Sequence, residues 1–270
     1  MSKIDELFLR LRQNNEKAFM PFITAGDPDL GFTADLLRSL DTAGCQLVEV
    51  GIPYSDPIAD GPVIQASYSR ALDAGVKLDA IFETLKSVTP EISMPVVTMV
   101  SYAIIFRVGI DKYLDKAIDA GVSGAIVPDM PVDESAEFAA KCKSRDFSLI
   151  QLVTPTTDQD RAIEIARQSS GFIYYVSIAG ITGERTSLPT EVVDNVRWLR
   201  DQTDLPICVG FGISQPEHAE MLKPVADGLI VGSAIVRRIG KIAEGTTPAE
   251  ALADVSAFCG KMLGAIATND

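Results

Sequence analysis

The sequence predicts an α/β protein, a (β/α)8 TIM barrel with an extra N-terminal helix. Three observations predict it. About eight short aliphatic runs alternate with helical patterns along the whole chain. The runs are apolar throughout, as expected of parallel strands covered on both faces. Several helical patterns stop at an alanine–glycine pair (Gly44, Gly75, Gly121) just ahead of the next run, where glycine takes a left-handed conformation without a Cβ clash.

The opening segment MSKIDELFLRLRQ sets Ile4, Leu7, Phe8 and Leu11 at the i, i+3, i+4, i+7 spacing of one helical face, with Ser2 and Asp5 as a capping pair. Strands are then expected at Phe19–Thr24, Gln46–Val50, Val96–Val100, Gly124–Val127, Ser148–Val153, Phe172–Val176, Pro206–Val209 and Gly228–Val231. Between them lie helical patterns such as Phe32, Leu36, Leu37 and Leu40. An open doubly wound sheet is the alternative, but it calls for a G-x-G-x-x-G turn after the first strand, and the turn here reads ITAGDPDLG. A closed barrel accounts better for the pattern, as one domain over residues 1–270.

Composition limits the partners. A net charge of −13 excludes a general affinity for nucleic acid or anionic membranes, while leaving room for one small phosphate pocket. Cys45, Cys142, Cys208 and Cys259 form no C-x-x-C pair, so reduced, buried thiols are expected rather than disulfides or zinc. The single histidine, His218, allows no histidine metal cluster and is expected on the surface. No metal and no cofactor are implied. The charge-free stretch 92–106 is too short to span a bilayer, and the N-terminus lacks a signal-peptide pattern. A cytoplasmic protein is expected.

Acid–base chemistry therefore falls on carboxylates, tyrosines or lysines. In the run QLVEVG, side chains alternate, so Leu47 and Glu49 share one face and Val48 and Val50 the other. The valines suit the helical layer, which turns Glu49 into the barrel near its C-terminal mouth, where active sites of this fold gather. Burial there raises a carboxyl's pKa toward neutrality and suits it to proton transfer. A structural glutamate bonded to backbone or to a basic side chain is the alternative. The following loop, GIPYSDPIADGP, carries three prolines that restrict its backbone. Asp60 could turn back to meet Glu49, or could simply form a turn before Gly61.

The stretch VEVGIPYSDPIADGPVIQ, residues 48–65, resembles the signature of the tryptophan synthase α-subunit family in order and spacing. PFITAGDP, IVPDMPVDES, YYVSIAGITG, VGFGIS and VGSAIV extend the resemblance over nearly the whole chain, with Ile178 where some members carry Arg. The resemblance implies a carbon–carbon lyase that cleaves indole-3-glycerol phosphate to indole and glyceraldehyde 3-phosphate. It assigns the two catalytic carboxylates to Glu49, as proton shuttle, and Asp60, as an anion facing the indole N–H. A more solvated loop around Asp60 would keep it ionised. The partner implied is a pyridoxal-phosphate β subunit in an α2β2 assembly, met through the Tyr54–Asp60 loop and the segment near Asp129–Pro131.

The remaining substrate contacts are read from strand ends. Gly212, with Phe211, follows the seventh strand, and Gly232 with Ser233 follows the eighth, the order in which these barrels build phosphate sites. Thr182 and Gly183 could complete the cradle, within a segment SIAGITGERTS that reads as a lid. Phe22, Val100, Tyr102 and Val127 are candidates for the indole slot. Tyr175 at the sixth strand's end could bond Glu49 or the substrate, or be a core tyrosine. A phosphosugar epimerase and a purely regulatory phosphate-binding subunit are the competing readings, and the Asp60 loop speaks against the first.

Overall fold

A computed structural model describes residues 1–57, 60–177, 190–210 and 212–267. Among these, nine parallel strands form one sheet: β1 (Ala18–Thr24), β2 (Val48–Gly51), β3 (Val96–Met99), β4 (Val122–Ile126), β5 (Ser148–Ile150), β6 (Leu152–Val153), β7 (Ile173–Val176), β8 (Ile207–Gly210) and β9 (Gly228–Val231). Hydrogen bonding runs in the order β5-β4-β3-β2-β1-β9-β8-β7-β6. β5 and β6 are consecutive in the chain, parted only at Gln151, whose carbonyl accepts the Tyr174 N–H at 3.1 Å. The run expected at 148–153 is thus one interrupted strand joining both ends of the sheet, and the barrel is nearly closed.

The helices are α1 (Lys3–Gln13), α2 (Leu30–Thr42), α3 (Pro62–Asp73), α4 (Leu78–Val88), α5 (Tyr102–Val108), α6 (Ile110–Asp119), α7 (Ala136–Lys143), α8 (Gln159–Gln168), α9 (Thr190–Arg200), α10 (Pro216–Leu222), α11 (Ser233–Gly240) and α12 (Pro248–Ile266). None is long and apolar enough to cross a membrane. Gly44, Gly75 and Gly121 carry φ of 87°, 77° and 75° at the ends of α2, α3 and α6, as the alanine–glycine pairs predict.

Strand alternation divides the apolar residues into two bodies. Val48, Val50, Ile173, Tyr175 and Val209 face outward, against the helices. Met20, Phe22, Leu47, Val97, Met99, Tyr174 and Cys208 face inward and fill the barrel. α1 belongs to the inner body. Its capping box of Ser2 and Asp5 starts it, and Ile4, Leu7, Phe8 and Leu11 close the barrel's lower, N-terminal end. Phe8 meets Phe172 with ring centroids 5.8 Å apart, and Ser2 Oγ bonds Ser148 Oγ at 2.9 Å. All four cysteines are buried free thiols.

His218 departs from the surface position expected of it. It is 3% exposed, and its Nδ1 accepts the Ser214 N–H at 3.3 Å. α10 packs against α12, and the imidazole is buried with α10, tied to the backbone just ahead of its own helix.

Candidate active site

Glu49 is inward and completely buried, level with Phe22 on β1 and Val97 on β3. Neither carboxyl oxygen has a hydrogen-bond partner among the described residues. Among the described residues no cation balances it, and desolvation holds its pKa well above the ordinary carboxyl range. Burial thus favours the protonated form of the group.

Above it, two residues nearer the mouth, the inward position on β2 is Gly51. A Cβ there would lie 2.5 Å from Phe22 Cζ and 2.9 Å from Tyr68 Oη. The missing side chain is what lets both rings converge over Glu49. Gly51→Ala is therefore expected to cost about 1–3 kcal/mol of stability and displace both rings. Urea denaturation checks the first effect, and a drop in kcat/KM of about tenfold checks the second.

Tyr68 arrives from α3, the helix that follows the proline-rich loop. Asp60 stands one residue ahead of the N-cap Gly61, with Pro62 at the first helical position, where its missing N–H costs nothing. The Asp60 N–H donates to Pro57 O at 3.1 Å, and Gln65 Nε2 donates to Asp60 O at 2.7 Å. Ile64 and Tyr68, four apart, lie on the face of α3 turned to the barrel, with Asp60 just ahead of its N-cap. Two polar ties bolt α3 to the end of β1: Thr24 Oγ1 with Ser67 Oγ at 2.6 Å, and Arg70, which donates to both oxygens of the buried Asp27 at 2.8 and 2.6 Å.

Asp60 is half-buried, and burial pushes its pKa up to about 6. The loop is less solvated than the sequence suggested, because the Asp60 side chain borders a pocket with Tyr68, Met99, Ile52 and Tyr54. Both carboxyls are thus raised by desolvation, Glu49 the more strongly. Charge on either acid raises the hydroxyl pKa of both Tyr68 and Tyr174, so the four groups share one neighbourhood. Met99 lies one inward position above Val97, which is level with Glu49. The acid therefore sits directly beneath the pocket.

Of the two adjacent tyrosines on β7, the structure turns Tyr174 into the barrel and Tyr175 away from it. Tyr175 lies in the helical layer beside Asn195, out of reach of Glu49, which corrects its expected substrate role. Tyr174 is admitted by a second strand-tip glycine: a Cβ on Gly210 would lie 2.3 Å from Tyr174 Oη. Tyr102 is also displaced from the slot expected of it. β3 ends at Met99, Ser101 caps α5, and the strand alternation stops before residue 102. Tyr102 stands on the rim, with its N–H on Asp129 Oδ1 at 2.7 Å and its ring 6.3 Å from that of Phe106. Val127 is plain outer core.

Phe22 holds its inward place and connects the two halves of the site, since a Cβ on Gly232 would lie 3.6 Å from Phe22 Cβ. Gly232 is the N-cap of α11 and has no side-chain cap. The first internal bonds of that helix come from the N–H groups of Ile235 and Val236, which leaves those of Ser233 and Ala234 at the helix's positive end. Gly212, with φ of 75°, follows β8 on the same side of the barrel. Phe211, Ile178, Thr182 and Gly183 lie outside the described residues.

Sequence reasoning missed Tyr68, Tyr174 and Gly51. The spacing of four from Asp60 through Ile64 was the available signal for Tyr68. The spacing of two from Glu49 was that for Gly51.

A family model described as tryptophan synthase alpha chain matches residues 8–267. The chain is 55% identical to the tryptophan synthase alpha chain of Rhodopirellula baltica, over 98% of this chain and 99% of that one. It is 47% identical to that of Trichormus variabilis over the full length of both. Among solved structures, tryptophan synthase subunit alpha from Legionella pneumophila superposes with a TM-score of 0.90 at 33% identity, covering 98% of each chain. A Mycobacterium tuberculosis tryptophan synthase chain gives 0.89 at 29% identity, covering 99% of each.

Proposed function

This chain belongs to the tryptophan synthase alpha chain family, and on that footing we propose that it cleaves indole-3-glycerol phosphate to indole and glyceraldehyde 3-phosphate through Glu49 and Asp60. It is a carbon–carbon lyase of tryptophan biosynthesis. The observation that carries the assignment of roles is the buried Glu49 carboxyl, without a hydrogen-bond partner among the described residues, beneath a pocket bordered by a second acid.

The chemistry follows from these two acids. Glu49 gives its proton to indole C3, and positive charge develops on the indole nitrogen. Asp60, ionised at neutral pH, accepts the indole N–H and stabilises that charge. The Glu49 carboxylate then takes the proton from the hydroxyl on the adjacent side-chain carbon. The carbon–carbon bond breaks, its electron pair restores the indole ring, and the hydroxyl carbon becomes the aldehyde. Phe22 supplies an apolar wall. Gly212, Gly232 and Ser233, at the positive end of α11, hold the phosphate, with Phe211, Thr182 and Gly183 as further members of that cradle.

The test is indole release by the purified chain from indole-3-glycerol phosphate, with ribulose 5-phosphate as control. Turnover of the control alone would replace this reading by an epimerase.

The family name carries a β-chain partner, which we place on the rim of the same mouth, in an α2β2 assembly in the cytoplasm. Two features support that face. The Tyr54–Asp60 loop and Asp129 border one pocket, and beside it Phe106 is 76% exposed, an unusual state for a phenylalanine. Phe106→Asp should weaken binding to the β chain by about tenfold or more, measured by calorimetry, and leave the isolated chain's lyase rate unchanged. The chain acts as one barrel domain over residues 1–270.

A further inference from the structure

We propose that Tyr68 supplies the hydrogen bond that the Glu49 carboxylate needs once its proton has left, making Tyr68 a positioning residue for the proton shuttle. The inference rests on the lyase reading above. Mid-reaction, Glu49 must exist as an anion, yet the fold gives its carboxyl no donor among the described residues. A buried carboxylate without one is strongly disfavoured. The donor must come from the groups facing it.

The ionisable groups that feel Glu49 are Tyr68 from α3, Tyr174 from β7 and Cys208 from β8, and Asp60 from the loop acts on the same two tyrosines. From β1 and β3 Glu49 meets the apolar Phe22 and Val97. Asp60 is an acceptor when ionised, and a buried thiol is a weak donor. Two phenols remain, and geometry separates them. Tyr174 Oη lies over the tip of β8, 2.3 Å from where a Gly210 Cβ would stand. Tyr68 Oη lies over the tip of β2 itself, 2.9 Å from where a Gly51 Cβ would stand. Gly51 and Glu49 share one inward row, with positions about 6.6 Å apart by the strand rise. A Glu49 side chain extended toward the mouth closes that gap. Tyr68 borders the pocket together with Asp60, so its hydroxyl is available where the substrate arrives. Burial keeps that hydroxyl protonated, hence a donor, across the working range.

The experiment is Tyr68→Phe in the full chain, carrying carbon-13 in the glutamate carboxyls, with the Glu49 signal identified by its loss in Glu49→Gln. Removing the donor should move the Glu49 titration upward by about half a pH unit or more. It should also lower kcat about tenfold, with KM for indole-3-glycerol phosphate within about twofold. Thermal melting checks that the fold is intact, and Tyr68→Leu should reproduce the titration shift if the phenylalanine variant melts early. An unmoved Glu49 titration, or a loss confined to KM, overturns the proposal. If Glu49→Gln itself keeps the full lyase rate, the shuttle reading fails. If Glu49→Gln is inactive while Tyr68→Phe is fully active, only the role of Tyr68 fails.

Discussion

Glu49→Gln is expected to reduce indole release from indole-3-glycerol phosphate by about a thousandfold or more, with little change in substrate binding. Glutamine preserves the size and the neutral charge of the protonated acid but can neither give nor take the proton. Binding of a non-reacting phosphate ester should therefore persist while turnover vanishes. A second signature lies in stability. A carboxyl whose pKa is raised on folding keeps its proton in the native state after the unfolded chain has lost it. The native state then binds more protons, so this group's stabilising share is complete below its ordinary pKa near 4.5 and declines as pH rises toward the folded value. The slope is about 1.4 kcal/mol per pH unit. Glutamine has no such slope. The stability difference between variant and wild type should thus grow with pH above 4.5, whatever its absolute offset. Urea melts at a series of pH values measure it. A full lyase rate in the glutamine variant would remove Glu49 from the chemistry.

Asp60→Asn is expected to lower kcat/KM about a hundredfold or more, because the positive charge on the indole nitrogen then meets a neutral amide. The pH profile carries the sharper outcome. With the wild-type carboxyl pushed up to about 6, the ionised form that accepts the indole N–H is lost as pH falls through that value. The acid limb of wild-type kcat/KM should therefore bend near pH 6, with the slope of a single proton. The asparagine variant should show a flat, low profile over the same range. An acid limb that survives the substitution would assign it to another group.

Much of this arrangement is legible in the sequence. Eight apolar runs and a helical opening segment were enough for the barrel, since both are hydrophobic patterns with a definite period. Glu49 could be placed facing inward because a charge in a row of aliphatics marks the phase of its strand. The two tyrosines of IYYV carry no such mark. Each is equally acceptable inside or outside, and only the pairing of β7 with β8 and β6 decides that Tyr174 faces in. Tyr102 was misjudged because a helix cap at Ser101 ends the strand's alternation one residue earlier. His218 looked like a surface residue in P-E-H-A, and it took the packing of α10 on α12 to bury it. The pKa of Asp60 depends on how far α3 presses the loop over the mouth, which is a tertiary quantity. Local pattern fixes which residues are present, and long-range packing fixes how wet they are.

The stopper formed by the first helix limits how the interior acid can be resupplied. Among the described residues, Ile4, Leu7, Phe8 and Leu11 pack into the base of the barrel and close the approach from below. A reactant that fills the opening would obstruct the approach from above as well. The hydrogen handed to the ring must then be made good by the one released from the alcohol, within the same turnover. A barrel opened from below would let bulk water do that instead, and the acid would drift back toward ordinary behaviour.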